Sequence, residues 1–274
     1  MEYRKFWLET ASGSVFNLTN PSFKVFGSSP DGLGFSHTLT TTRLGDINYL
    51  TSKVPSMIDK TFSIIFYGDD IEEVYRNYQN FANYLNTDET LYLVYELGNI
   101  GTYRTIVVAN SLGKGEINPD DGSLTCSLSL SPLTFWEDNV ENTETMSGSG
   151  ALSKTITING NTGTFVNIHI VGSVTNPTYS VEDSDGNVYG RGKITGTYTD
   201  VNVISDPANE TIVLKNGSTT VQNPYNYQDL TVGGEGIAVT FLNLRRGSNI
   251  VRFSHDGSGS VTVTLTYKNR YVSV

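Results

Sequence analysis

The chain has 274 residues and a formal net charge of −10, with Gly, Ser, Thr and Asn supplying 112 positions and Ala only 6. That composition is poor in the best helix former and rich in side chains that compete with the helix backbone, while 16 Tyr and 12 Phe suit a pleated, half-buried surface, so a mostly-β protein with length for about two domains is expected. No apolar run approaches the ~20 residues of a membrane-spanning helix, the lone Cys126 rules out an internal disulfide, and an acidic balance without a basic run argues against phosphate-driven nucleic-acid binding.

The opening MEYRKFWLETASGS lacks the apolar stretch of a secretory signal, so Sec-type export is not expected. Residues 36–57, SHTLTTTRLGDINYLTSKVPSM, form a long segment with no helical period and few core signals. Phe62 to Tyr67 reads as a strand. A helix over about residues 70–86 follows, because Ile71, Val74, Tyr75, Tyr78, Phe81, Ala82 and Leu85 recur at a 3.6-residue period. Asp69 or Asp70 suits its N-cap, with Glu72 and Glu73 facing the positive end of the helix dipole. Leu91 to Leu97 and Tyr103 to Ala109 read as strands, then a hairpin with Asn118-Pro119-Asp120-Asp121-Gly122 as its turn between Gly115–Ile117 and Leu124–Leu130. One sheet packed on one helix fits this half.

Beyond Trp136 the sequence becomes polar and Gly/Ser-rich, which predicts a linker over residues 138–152 between a domain of residues 1–137 and one of residues 153–274. The charge divides there as well, at −8 for residues 1–140 and −2 for residues 141–274. The second part reads as strands throughout: Thr155–Ile158, Thr164–Val171, Tyr179–Glu182, Val188–Gly190, Ile212–Leu214, Ile237–Leu244, Ile250–Ser254 and Val261–Tyr267. Short strands with regular turns suggest a jelly-roll β-sandwich.

No constellation in the sequence calls for catalysis. Cys126 shares a strand face with Leu124, Leu128 and Leu130, so an inert buried thiol is expected. His37, His169 and His255 lie too far apart for a helical ligand pair. Asp183-Ser184-Asp185-Gly186-Asn187 has glycine at the fourth position where a calcium loop needs it at the sixth, so a hairpin turn is expected. The glycines of residues 148–150 and 233–236 lack the setting of a phosphate loop. Asp120/Asp121 and Glu182/Asp183 sit in or beside turns, where Asp is expected for backbone reasons. Trp136 and the Tyr225/Tyr227 pair are candidates for stacking on sugars, but Trp136 is better read as interdomain packing and the tyrosines as a loop anchored at Pro224. No metal, cofactor or catalytic residue is expected, and the chain is read as not an enzyme.

One resemblance adds to this. YRKFWLETASGSVFNLTN, the segment Pro30-Asp31-Gly32-Leu33-Gly34-Phe35, the helix VYRNYQNFANYL, LYLVYEL, YRTIVVANSLGKGEI and the closing SLTCSLSLSPLTFW occur in an order similar to that of the distal tail (Dit) proteins of long-tailed phages of Gram-positive bacteria. The resemblance implies an N-terminal β-sandwich-like domain with one helix that forms a homo-hexameric ring, and a C-terminal galectin-like jelly-roll sandwich on its outside. It further implies a place at the virion tail tip as baseplate hub, with the tail tube protein, the tail-tip (tail-associated lysin) protein and receptor-binding proteins as partners. Within that frame residues 36–57 are expected to form an extended arm or hairpin against a neighbouring subunit, with Arg43, Leu44, Asp46, Ile47, Tyr49, Leu50 and Lys53 at the contact. The competing expectation is a carbohydrate-binding adhesin that recognises host cell-wall polysaccharide through the second sandwich.

Overall fold

Alternating apolar and polar residues dominate the chain, and the computed structural model turns nearly all of that alternation into strands. The structure describes residues 4–19, 25–27, 34–44, 46–207, 209–232 and 238–274. It divides into two units, Met1–Asn139 with Tyr271–Val274, and Val140–Arg270.

The first unit comprises β1 (Arg4–Thr10), β2 (Val15–Asn17), β3 (Val25–Gly27), β4 (Phe35–Leu44), β5 (Ile47–Met57), β6 (Lys60–Phe66), α1 (Ile71–Leu85), β7 (Leu91–Leu97), β8 (Gly101–Ile117), β9 (Leu124–Pro132) and β10 (Trp136–Asp138). Its main sheet runs β2-β1-β7-β8-β9-β6-β3. The strand β8 is long enough to serve two neighbours, pairing with β7 from Gly101 to Val107 and with β9 from Val107 to Ile117. The two ends of the sheet thereby face each other: Phe6 of β1 stacks on Tyr95 of β7 at 4.7 Å and meets Phe62 of β6 edge-on at 5.7 Å. The expected single sheet on a helix is therefore a sheet folded on itself, with Leu8, Ile64, Phe66, Leu93, Cys126 and Leu128 buried between its halves.

The helix spans the expected residues. Asp70 caps it by accepting the Glu73 N–H at 2.7 Å, and the Glu73 carboxylate reaches back one residue beyond the cap to accept the Asp69 N–H. Its buried stripe is narrower than the sequence suggests. Val74 and Phe81 are enclosed, Phe81 against Phe16 and Phe66, whereas Ile71 and Tyr75 stay exposed.

The second unit comprises β11 (Asn142–Gly148), β12 (Leu152–Ile158), β13 (Thr164–Thr175), β14 (Thr178–Glu182), β15 (Val188–Lys193), β16 (Thr197–Ile204), β17 (Thr211–Asn216), β18 (Thr219–Thr220), β19 (Ala238–Val239), β20 (Leu242–Leu244), β21 (Gly247–Ser254) and β22 (Val261–Tyr267). One sheet runs β11-β22-β13-β16-β17-β18 with β20 beside β13, and the other runs β12-β21-β14-β15-β19. Ile168, Ile170, Val201, Val203, Val263 and Leu265 from the first share one core with Ile156, Tyr179, Val181, Val251 and Phe253 from the second. Gly192, directly opposite Tyr179 in the second sheet, leaves room for that ring, because a Cβ there would lie 2.2 Å from it.

Four expectations need correction. Residues 138–152, read as a linker, contain β11, which pairs with β22 along its whole length from Asn142↔Tyr267 to Gly148↔Val261. An edge strand needs backbone partners more than apolar side chains, and Met146 is its one buried residue. The sequence reading also passed over β16, where Asp200 and Asn202 interrupt an apolar set of Tyr198, Val201 and Val203 that is fully enclosed. The expected strand Ile237–Leu244 is two short strands, β19 and β20, parted at Thr240, whose φ of +71° takes it out of the β region; Ile237 itself lies outside the described residues. Finally, Tyr271–Val274 belong to the first unit rather than the second. Tyr271 packs edge-on against Tyr103 at 5.2 Å and donates to Asp138 at 3.1 Å.

Candidate functional site: an unpaired hairpin

The residues expected at a subunit contact lie on β4 and β5 and, for Asp46, in the turn between them; among the described residues these strands pair only with each other, as a two-stranded sheet. The strands have 10 and 11 residues, so the ribbon is about 33 Å long at ~3.3 Å per residue. Thr41 pairs with Leu50 and Thr40 with Ser52, leaving Thr51 as a bulge residue whose hydroxyl donates to the Thr40 carbonyl at 2.9 Å. Arg43 and Asp46 approach to 3.8 Å across the tip. Both are strongly exposed, and such an ion pair contributes little to stability.

Residues directly opposite one another share a face. The pairs Thr42↔Tyr49 and Thr38↔Val54, with Ile47, define one face; Thr41↔Leu50, Leu39↔Lys53 and Phe35↔Met57 define the other. Both faces are thus apolar in part and both are open: Phe35, Leu39, Ile47, Tyr49, Leu50, Val54 and Met57 are between 38% and 58% exposed. A lone two-stranded ribbon is marginal in water. This one also presents apolar side chains on two sides and, among the described residues, unpaired backbone on two edges, which is the arrangement of a segment that completes its packing elsewhere.

The structure brings Arg43, Asp46, Ile47, Tyr49, Leu50 and Lys53 together on this ribbon; Leu44 lies in β4, and its side chain is outside the described residues. Phe35, Leu39, Val54 and Met57 belong to the same surface and were not singled out from the sequence. Their signal was a period of two on both sides of Gly45-Asp46, weakened by the Thr40/Thr41 register shift.

Trp136, expected to pack between the domains, lies in β10 of the first unit. It is 3% exposed inside the first unit's own core, edge-on to Tyr95 at 6.2 Å. The other candidates are engaged locally. Burial pushes the Cys126 thiol up, which disfavours its thiolate. His37 lies edge-on to Phe35 at 4.9 Å, His169 faces Asp200 at 3.4 Å, and the buried His255 accepts the Gly257 N–H at 3.1 Å through Nδ1. The Asp183 carboxylate accepts the Asn187 and Asp185 N–H groups at 2.9 and 3.0 Å, and these bonds, Asn187 first, hold it below the usual range in a turn closed by Gly186 at φ +84°. Glu182 accepts from Arg252 at 2.8 Å. Asp121 accepts the Ser123 N–H, and hydrogen bonding to Ser123 lowers its pKa. Tyr225 and Tyr227 lie on a short 3-10 turn, Pro224–Tyr227, with Tyr227 against Tyr198 at 6.2 Å. Among the described residues no three His, Cys, Asp or Glu side chains gather as a metal site.

Comparison with known proteins bears on this surface. A model of the N-terminal domain of distal tail proteins matches residues 5–133, a span that contains the hairpin. The Dit protein of phage SPP1, described as a paradigm of the hub adsorption apparatus in phages infecting Gram-positive bacteria, is similar at 14% identity and a TM-score of 0.66, over 96% of this chain and 98% of that one. A chain of the phage P2 baseplate in its activated conformation with calcium is similar at 15% identity and a TM-score of 0.60, over 99% of each. At such identities the likeness is one of fold. No curated protein matches the chain in sequence.

Proposed function

We propose that this chain, a member of the distal tail protein family through residues 5–133, is a structural component of a phage tail that assembles as a ring of six copies at the virion tail tip. The tail tube protein and the tail-tip protein are its neighbours along the tail, and receptor-binding proteins attach at the periphery. The hairpin carries this reading. A ribbon with apolar side chains on both faces gains most by lying on a second copy. Burying several such side chains at ~25 cal/mol per Å² is worth several kcal/mol per contact, repeated at every junction of a closed ring. The fold shared with the SPP1 Dit and P2 baseplate chains supports the same assignment.

Negative-stain microscopy of the purified chain over a concentration series tests it. Rings with six-fold symmetry are expected; particles of single-chain size at every concentration would refute the proposal.

A further inference from the structure

The turn between β20 and β21 carries Arg245 and Arg246 and is fixed from beneath. Asn249, with no exposed surface, accepts the Arg245 N–H at 2.8 Å and donates to the carbonyls of Arg245 and Gly247, each at 2.8 Å. The Tyr189 hydroxyl donates to the same Asn249 oxygen, and the Arg245 guanidinium lies 4.1 Å from the Tyr189 ring centroid. Beside the turn opens a cavity of about 350 Å³ lined by Thr162, Phe165, Asn243, Arg245 and Arg246. Arg270 covers the Phe165 ring at 4.7 Å, so a third guanidinium flanks that wall.

The charge here runs against the rest of the chain. Residues 238–274 hold Arg245, Arg246, Arg252, Lys268 and Arg270 against the single acid Asp256, in a protein of net charge −10, while from outside that stretch the Asp183 carboxylate bears on Arg245. Arg252 is neutralised by Glu182 elsewhere on the sandwich. Asn249 holds the backbone of the turn and the Tyr189 ring holds the Arg245 guanidinium, so part of the ordering that closing on an anion requires is already in place.

We infer that this cavity binds the phosphate ester of a polyhydroxylated ligand, a sugar or polyol phosphate. The guanidinium forks match phosphate oxygens in bidentate pairs. Thr162 and the exposed Asn243 amide supply neutral donors and acceptors for hydroxyl groups. The volume lies at the lower end of small-molecule sites.

The test is calorimetric titration of the full chain at low salt with glycerol 1-phosphate, inorganic phosphate, glycerol and a glutamate-rich peptide. Glycerol 1-phosphate is expected to saturate a single site more tightly than inorganic phosphate, with no binding of glycerol. Arg246→Gln, and Arg245→Gln with Arg246→Gln, are expected to weaken it by about tenfold or more at an unchanged melting temperature. Arg246→Gln decides the matter if the double variant melts lower, since Arg245 also packs on Tyr189. Four results would each overturn the inference: no saturable binding of glycerol 1-phosphate, inorganic phosphate binding as tightly, unchanged affinity in the arginine variants, or tighter binding of the acidic peptide.

Discussion

Lys60 shows how burial sets the behaviour of a single residue. It is 2% exposed in β6, and desolvation, opposed by the nearby Asp59 carboxylate, lowers its pKa to about 8. The folded chain thus holds the proton less tightly than the unfolded chain, and stability rises with pH from about 8 to 10.5 as this penalty disappears. Replacing Lys60 with Met is expected to raise stability at pH 7 by roughly 1–3 kcal/mol, with the gap from wild type closing above pH 8. Paired urea titrations at pH 7 and 10 check this; a gap that is constant with pH would contradict it. Trp136→Ala is expected to cost about 3–5 kcal/mol through the cavity left beside Tyr95. At this scale the sequence was legible where a local period decided the outcome, as with Cys126 on the leucine face of β9. It was not legible for Trp136, because its packing partner Tyr95 is brought to it by strand pairing rather than by sequence spacing.

Among the elements, α1 was readable to its ends because its cap, its first-turn acids and its apolar period all point to the same register. Asp70→Ala is expected to cost about 0.5–2 kcal/mol, measured by chemical denaturation. Ile71 and Tyr75 belong to the apolar stripe read from the sequence yet stay exposed, because such a stripe does not state how far the facing sheet extends. The strands β11 and β16 were missed for the opposite reason: backbone pairing can order a polar stretch, and a central strand can carry Asp and Asn on its outer face. The hairpin was anticipated as a segment with no core to serve, but its two-faced character required the register of β4 on β5. Since β11 is paired throughout and, among the described residues, no third strand pairs with the hairpin, limited proteolysis of the unassembled chain is expected to cut first within residues 35–57. First cuts within residues 142–148 would contradict that order.

For the whole molecule, the mostly-β class and the family resemblance were both legible before the structure, the first from composition and the second from the order of motifs over residues 1–137, and the family match over residues 5–133 agrees with them. The basic turn at Arg245 was not legible, since two adjacent arginines acquire meaning only when Asn249 and Tyr189 fix them beside a cavity. Charge enters assembly as an opposing force. Copies of net charge −10 repel on approach, so association is expected to strengthen between low and moderate salt, as the Debye length falls to about 8 Å at 0.15 M ionic strength.

The central claim is that the hairpin joins neighbouring copies, and light scattering on a variant with Leu39→Asp and Tyr49→Asp, one charge on each face, tests it most directly. Both side chains are exposed, so the variant is expected to melt at the wild-type temperature when dilute. The wild-type chain should reach a mass near six copies as concentration rises, and the variant should remain at the 30.0 kDa of one chain. A variant that assembles as the wild type does, at the same concentrations, would contradict the claim.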